Sequence, residues 1–318
     1  MPTTTDPTRT LLTPAFMHRL DRLDVLSRKV LLGKLQGERR SKKRGQSVEF
    51  ADYRSYVVGD DLRFIDWNLY ARLDKLFLRL FMEEEDLSVS IIVDATKSMD
   101  YGDPRKLDYV LQLAAALGYI GLVKYNRVSL FGFSQAGDAA LPNLRGRRPI
   151  PQMLEFLENQ RAGVRRQESG KGGVDLQSVC RRIALMQRSP GVVILVSDFF
   201  DKGDLPGALR YLAQEKFDTY AIQVLCPQEV DPASGGGGGS GGGGVVGDLR
   251  LRDIEDGDIA EVSVTPALLK RYKANLQAYC EHVREQCLKR GILYLFSDTR
   301  VPFETLVLNY LRRRGLLG

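Results

Sequence analysis

Two aspartates close two of the most apolar runs in the chain. Val89, Ile91, Ile92 and Val93 lead into Asp94, and the stretch from Gly191 to Ser197 leads into Asp198. Two hydroxyls, Thr96 and Ser98, follow Asp94 at alternate positions. An unbroken β-branched run predicts a strand buried on both faces, as in a parallel sheet, and ligands bind at the carboxyl ends of such strands. Carboxylate and hydroxyl oxygens are hard ligands. Asp94, Thr96 and Ser98 together therefore suit a hard cation such as magnesium, which prefers oxygen and keeps several of its waters, and Asp198 ends the second run in the same way. The residues from Asp94 to Ser98 also suit the plainer task of satisfying turn backbone and capping the next helix.

The elements that must position these groups alternate along the chain. Lys106–Tyr125 is a long, apolar helix; Arg127–Phe133 is a strand; Ile150–Leu157 opens a short helix, and a polar loop follows from Asn159 to Gly173. Val174–Met186 and Leu205–Gln214 are helical, and Thr219–Leu225 is a strand. Leu249–Leu251 and Glu261–Val264 form a hairpin. A long helix, Leu268–Lys289, a strand, Ile292–Phe296, and a final helix, Pro302–Arg314, complete the chain. This alternation predicts an α/β fold, a doubly wound and mainly parallel sheet of Rossmann-like type. Ahead of it, residues 1–13 read as a disordered tail. Residues 14–86 read as a smaller N-terminal helix-plus-strand subdomain, with an amphipathic helix through Phe16, Leu20, Leu23, Leu26, Val30 and Leu31, then a basic loop, then a strand over Leu76–Glu84. Residues 87–318 form the sheet domain, interrupted by a glycine-rich flexible loop at 234–244.

Composition narrows the function classes. With 318 residues, 43% of them hydrophobic, the chain can bury a sizeable core. Its net charge of +6 is only mildly basic, so charge names no partner. Four cysteines without a CxxC pair, and two histidines, point away from zinc and from a disulfide framework and toward a reducing cytoplasm. No run of eighteen apolar residues predicts a membrane span. The basic loop, with Arg39, Arg40, Lys42, Lys43 and Arg44, is a candidate surface for a partner, or for nucleic acid in an alternative reading. A second alternative is a metal-dependent phosphotransferase or hydrolase, but such enzymes need a second carboxylate where Thr96 stands. No GxxxxGK[ST], HExxH or GxSxG motif is found either. Asp60 and Asp61 could ligate a metal but have no histidine or further acidic cluster at a useful spacing. The arginines, acids and aromatics around them predict a web of ion pairs enclosing Trp67, which locks the subdomain onto the sheet domain.

The block Arg54-Ser55-Tyr56-Val57-Val58-Gly59-Asp60-Asp61-Leu62-Arg63-Phe64-Ile65-Asp66-Trp67, followed by Ala71-Arg72 and by the loop Asp94-Ala95-Thr96-Lys97-Ser98-Met99, resembles the family catalogued as DUF58. The resemblance implies a von Willebrand factor A-like domain that accompanies a MoxR-class AAA+ ATPase. It also implies a non-enzymatic adaptor in the assembly or remodelling of a client protein. Many members begin with a membrane hairpin, and its absence here resembles the soluble branch. In von Willebrand A-like domains a metal-ion-dependent adhesion site takes an Asp-x-Ser-x-Ser loop, a threonine from a second loop and an aspartate from a third. Asp94, Thr96 and Ser98 match the first, and Asp198 the third. Val174, in Gly172-Gly173-Val174-Asp175-Leu176, stands where members often have threonine, so the implied site is degenerate.

Restoring that hydroxyl with Val174→Thr is expected to strengthen magnesium-dependent thermal stabilisation relative to the parent. A threonine hydroxyl left unpartnered costs about 1–3 kcal/mol, and one that reaches the ion recovers the loss when magnesium is added. Calorimetry with no magnesium effect in either protein would remove the ion from the reading.

Overall fold

In the computed structural model the described residues are 11–27, 50–81, 87–134, 137–165, 176–187, 189–201, 203–233, 247–252, 259–313 and 315–318. They divide into two compact units, one of residues 1–32 with 87–318 and one of residues 33–86. The large unit begins with α1 (Pro14–Leu20), opened by Pro14 and by the Thr13 hydroxyl, which accepts from the Phe16 amide at 3.3 Å. Phe16 and Leu20 enter the core, so α1 belongs with the sheet rather than with the small subdomain. Leu11 and Leu12 are buried in the same core, which places order inside the stretch expected to be a tail. The helix also stops at Leu20 instead of running to Leu31. Leu23 and Val25 are buried at alternate positions, Val25 bridges Leu317, and the Leu26 amide donates to the Leu316 carbonyl. Leucines at 20, 23 and 26 fit a helical stripe, but pairing with the chain's last residues satisfies the backbone equally well and wins. Val30 and Leu31 lie outside the described residues.

The small unit is built on an antiparallel pair, β1 (Phe50–Ser55) with β2 (Phe77–Phe81). Between the two strands come a 3-10 turn, Leu62–Phe64, and α2 (Trp67–Leu73). Asp66 caps α2, its Oδ1 accepting from the Asn68 and Leu69 amides at 3.0 and 3.1 Å.

The large unit continues with β3 (Ser88–Asp94), α3 (Lys106–Val123), β4 (Arg127–Ser134), β5 (Gly137–Leu144), α4 (Ile150–Arg165), α5 (Leu176–Met186) and β6 (Gly191–Ser197). Then come α6 (Leu205–Leu212), β7 (Phe217–Leu225), the single turn α7 (Pro227–Val230), β8 (Gly247–Arg252), β9 (Ile259–Val264) and α8 (Pro266–Leu288). β10 (Leu293–Asp298) and α9 (Phe303–Thr305), which passes into a π-helical stretch, Leu306–Leu311, end the chain. Six strands form one mixed α/β sheet in the order β10-β7-β6-β3-β4-β5, parallel throughout except for the antiparallel pair β4–β5. β8 and β9 pair separately as an antiparallel hairpin, as their sequence predicts.

Every residue of β3 and β6 is buried, and the register sets Val89 against Val192, Ile91 against Ile194 and Val93 against Val196. Those six side chains share a core with α3, while Ile92, Val193 and Leu195 share the opposite core with α5, α6 and Val283 and Cys287 of α8. Helices thus cover both faces. By length and composition α3 could cross a membrane, but 83% of its apolar window is buried inside this protein. From β3 the chain moves to β4 on one side; from β6 it moves to β7 on the other. The carboxyl ends of β3 and β6 therefore flank a topological switch point, where the crossovers diverge.

Two further elements differ from the sequence reading. β5 contains Pro142, which cannot donate to a ladder and is tolerated because β5 lies at the sheet edge. α4 continues through the polar stretch to Arg165, because Met153, Leu157 and Val164 fall on one helical face and are buried while polar neighbours face outward.

The β3–β6 contact is close enough to test. A β-carbon on Gly191 would meet the Ser88 carbonyl oxygen at 2.0 Å. Gly191→Ala is expected to destabilise by about 1–3 kcal/mol in urea denaturation. Gly163→Ala in α4, where a β-carbon meets nothing within 4 Å, should be neutral or stabilising.

Candidate functional site

Asp94 ends β3 one residue beyond the Val93–Val196 pair, and its side chain meets Ser197 at the end of β6. It is buried, so its oxygens need donors. Oδ1 accepts from the Thr96 amide at 2.9 Å and the Thr96 hydroxyl at 2.6 Å, and Oδ2 accepts from the Ser197 hydroxyl at 2.6 Å. The Thr96 and Ser98 hydroxyl oxygens lie 2.9 Å apart. Three of the residues singled out by sequence are thus in one oxygen cluster. Burial first, and then the charge of Asp198, push the Asp94 carboxyl up to about 7, against the opposing pull of the Ser197 and Thr96 donors.

Asp198 is equally buried, but its surroundings are different. Its Oδ1 accepts from the Phe200 amide at 3.0 Å, and its Oδ2 accepts from the Lys106 ammonium at 2.8 Å. Lys106 is fully buried and also donates to Glu229 Oε1 at 2.6 Å, while Glu229 Oε2 accepts from the Cys226 amide at 3.0 Å. Burial alone would lower the lysine's pKa, but the Asp198 and Glu229 charges outweigh it and raise the value above that of an ordinary lysine. The loop carrying Asp198 is fixed by further contacts. Phe199 has φ of 61° and a buried ring, Gln223 Nε2 donates to the Asp198 carbonyl at 2.9 Å, and the Tyr279 hydroxyl donates to the Phe199 carbonyl.

Sequence reasoning named Asp94, Thr96, Ser98 and Asp198, which the fold brings to neighbouring strand ends. It did not name Lys106 and Ser197, which contact them there, or Glu229, which shares Lys106 with Asp198. One signal was available: Lys106 opens α3, and a cation at a helix N-terminus opposes the helix dipole. The oxygens of Asp94, Thr96 and Ser98 fit a hard cation in chemistry and in clustering, whereas Asp198 already carries an ammonium. No group of three or more His, Cys, Asp or Glu is placed to hold a metal among the described residues. Val174 and its neighbours Gly172, Gly173 and Asp175, the basic residues Arg39, Arg40, Lys42, Lys43 and Arg44, and the glycine-rich loop lie outside the described residues.

Within the small unit, Asp60 and Asp61 are occupied by guanidinium groups. Arg54 Nη2 reaches both oxygens of Asp60 at 2.7 and 2.8 Å, and Arg63 Nη2 reaches Asp61 Oδ2 at 2.7 Å. Asp66 accepts from Arg79 Nε at 2.8 Å and from the Tyr53 hydroxyl at 3.0 Å. The Arg79 contact holds its carboxyl far below the usual range against the opposing effect of burial. The expected ion-pair web exists, but it does not enclose Trp67, which is 60% exposed. No side chain of α2 is buried, so the cap at Asp66 orders a helix whose aromatic residues remain outside.

A family model described as "Protein of unknown function DUF58" matches residues 52–281. Uncharacterized proteins of Mycobacterium tuberculosis and Mycobacterium bovis are 27% identical over 309 residues, covering 96% of this chain and 92% of theirs. Among solved structures, the manganese-loaded Plasmodium vivax TRAP protein is 17% identical with a TM-score of 0.30, covering 44% of this chain and 57% of that one. The open pilus adhesin SpaC of Lactobacillus rhamnosus GG is 14% identical with a TM-score of 0.34, covering 74% and 31%. Both scores are too low to bear on fold or function.

Ser197 is the donor that ties Asp94 to β6, and its oxygen also accepts from the Phe199 amide at 2.9 Å. Ser197→Ala leaves a buried carboxylate oxygen and a buried amide without this partner. A loss of about 1.5–3 kcal/mol is expected by urea denaturation.

Proposed function

The chain belongs to the DUF58 family, and we propose that it is a non-enzymatic adaptor, a von Willebrand A-like module that holds other proteins instead of transforming a substrate. The observation that carries this reading is the surface of the small unit. Val57, Val58, Leu62, Phe64, Trp67 and Leu73 are all exposed, Val58 at 93%, within a stretch of the chain ordered by the Arg54–Asp60 and Arg79–Asp66 pairs. Apolar and aromatic side chains left exposed on a preorganised scaffold suit a protein-binding surface, where tryptophan, tyrosine and arginine supply most of the binding energy. The partner suggested by the sequence resemblance is a MoxR-class AAA+ ATPase, with a client protein remodelled by the pair.

The carboxyl ends of β3 and β6 supply a second contact in this reading. Asp94, Thr96 and Ser98 would hold magnesium, with Asp198 beside them. Bound there, the ion would offer an open coordination position to a partner's carboxylate. A phosphotransferase is less well supported, since Thr96 occupies the place of the second carboxylate that such chemistry needs.

Binding to a purified MoxR-class ATPase, measured by surface plasmon resonance, tests the docking surface. Trp67→Ala with Phe64→Ala is expected to weaken binding by about tenfold or more. The thermal stability of the variant should stay within about 0.5 kcal/mol of the parent, because both side chains are exposed. Unchanged binding with a large loss of stability would assign these residues to structure instead.

A further inference from the structure

Lys106 costs the fold more than a packing residue should. A fully buried ammonium must be desolvated, and at the first position of α3 it also opposes the helix dipole, where a leucine or methionine would fill the same space without either penalty. The ammonium is retained among charges that match it: Asp198 at 2.8 Å, Glu229 at 2.6 Å and the Phe200 ring, with its centroid at 5.7 Å. Both oxygens of Asp198 are thereby occupied, one by the ammonium and one by the Phe200 amide. Asp94 differs in kind, since its donors, Thr96 and Ser197, are all neutral. The two carboxylates at the switch point are therefore not equivalent.

We infer that Lys106 is a built-in counter-ion, a tethered cation that takes the place of a divalent ion at Asp198 and lets this end of the sheet stand without one. A divalent ion beside Thr96 and Ser98 meets one carboxylate, Asp94, instead of two. It is also repelled by an ammonium held on the neighbouring aspartate. The loop is built to hold that arrangement, with Gln223 on the Asp198 carbonyl and Tyr279 on the Phe199 carbonyl aiming Asp198 at Lys106. The inference rests on reading Asp94, Thr96 and Ser98 as a cation site and is independent of the docking surface.

Manganese and magnesium titrations of the full chain, followed by calorimetry and by thermal shift, test it. Lys106→Met keeps an unbranched apolar chain out to the Cε position and removes the ammonium and its charge. It is expected to be less stable than the parent without divalent ions, to bind them about tenfold more tightly, and to regain melting temperature as they are added. Asp94→Ala in the same background should abolish that response. A Lys106→Met response no greater than the parent's overturns the inference. If both then bind equally and Asp94→Ala removes the binding, the cation site survives and only the role of Lys106 falls; if neither binds, both fall. Should Lys106→Met fail to fold, Asp198→Asn decides. Manganese affinity within about threefold of the parent supports an aspartate already committed to lysine, and a loss of about tenfold overturns it, because Asp198 would then be a ligand.

Discussion

The pairing of β3 with β6 is the constraint on which the rest of the large unit depends. Two strands buried on both faces must be covered by helices on both sides, and the crossovers that supply those helices leave in opposite directions. Asp94, Ser197 and Asp198 come together there because the register brings the two strand ends level. Everything polar around them then follows from burial: each carboxylate oxygen in so dry a place needs a donor, and Thr96, Ser197, Phe200 and Lys106 provide them.

The large unit carries an ion-pair cluster drawn inward, in which Lys106 meets carboxylates 92 and 123 residues away. In the small unit the ion pairs are local, Arg54 with Asp60, Arg63 with Asp61 and Arg79 with Asp66, and they order a short stretch whose apolar side chains face outward. A segment of this size has little core of its own. Its order comes instead from bidentate and capping contacts, which leave the hydrophobic surface available.

Much of the α/β architecture was legible because strands buried on both faces announce themselves as unbroken apolar runs, and Asp94, Thr96, Ser98 and Asp198 were legible because they terminate those runs. What escaped did so for physical reasons. β5 carries Pro142 and is half exposed, so it has neither the propensity nor the pattern of a strand. The N-terminal leucines fit two periods at once, and the competing partner, the chain's own last residues, is remote in sequence. Trp67 was expected inside because large aromatics usually are, yet α2 buries nothing. Lys106 is a single residue at the start of a helix, and only the fold brings Asp198 and Glu229 to it.

The proline in β5 has a consequence for how copies of this protein meet one another. β5 is the outermost strand on its side of the sheet, and an outermost strand offers unpaired amide and carbonyl groups to any extended chain that drifts past. Pro142 has no amide hydrogen to offer, and the strand's register against β4 is already irregular near Val128 and Leu130. A neighbouring chain trying to extend the ladder would find a missing rung. The residue that hid this strand from view in the sequence therefore also guards the sheet against growing, edge to edge, into an aggregate.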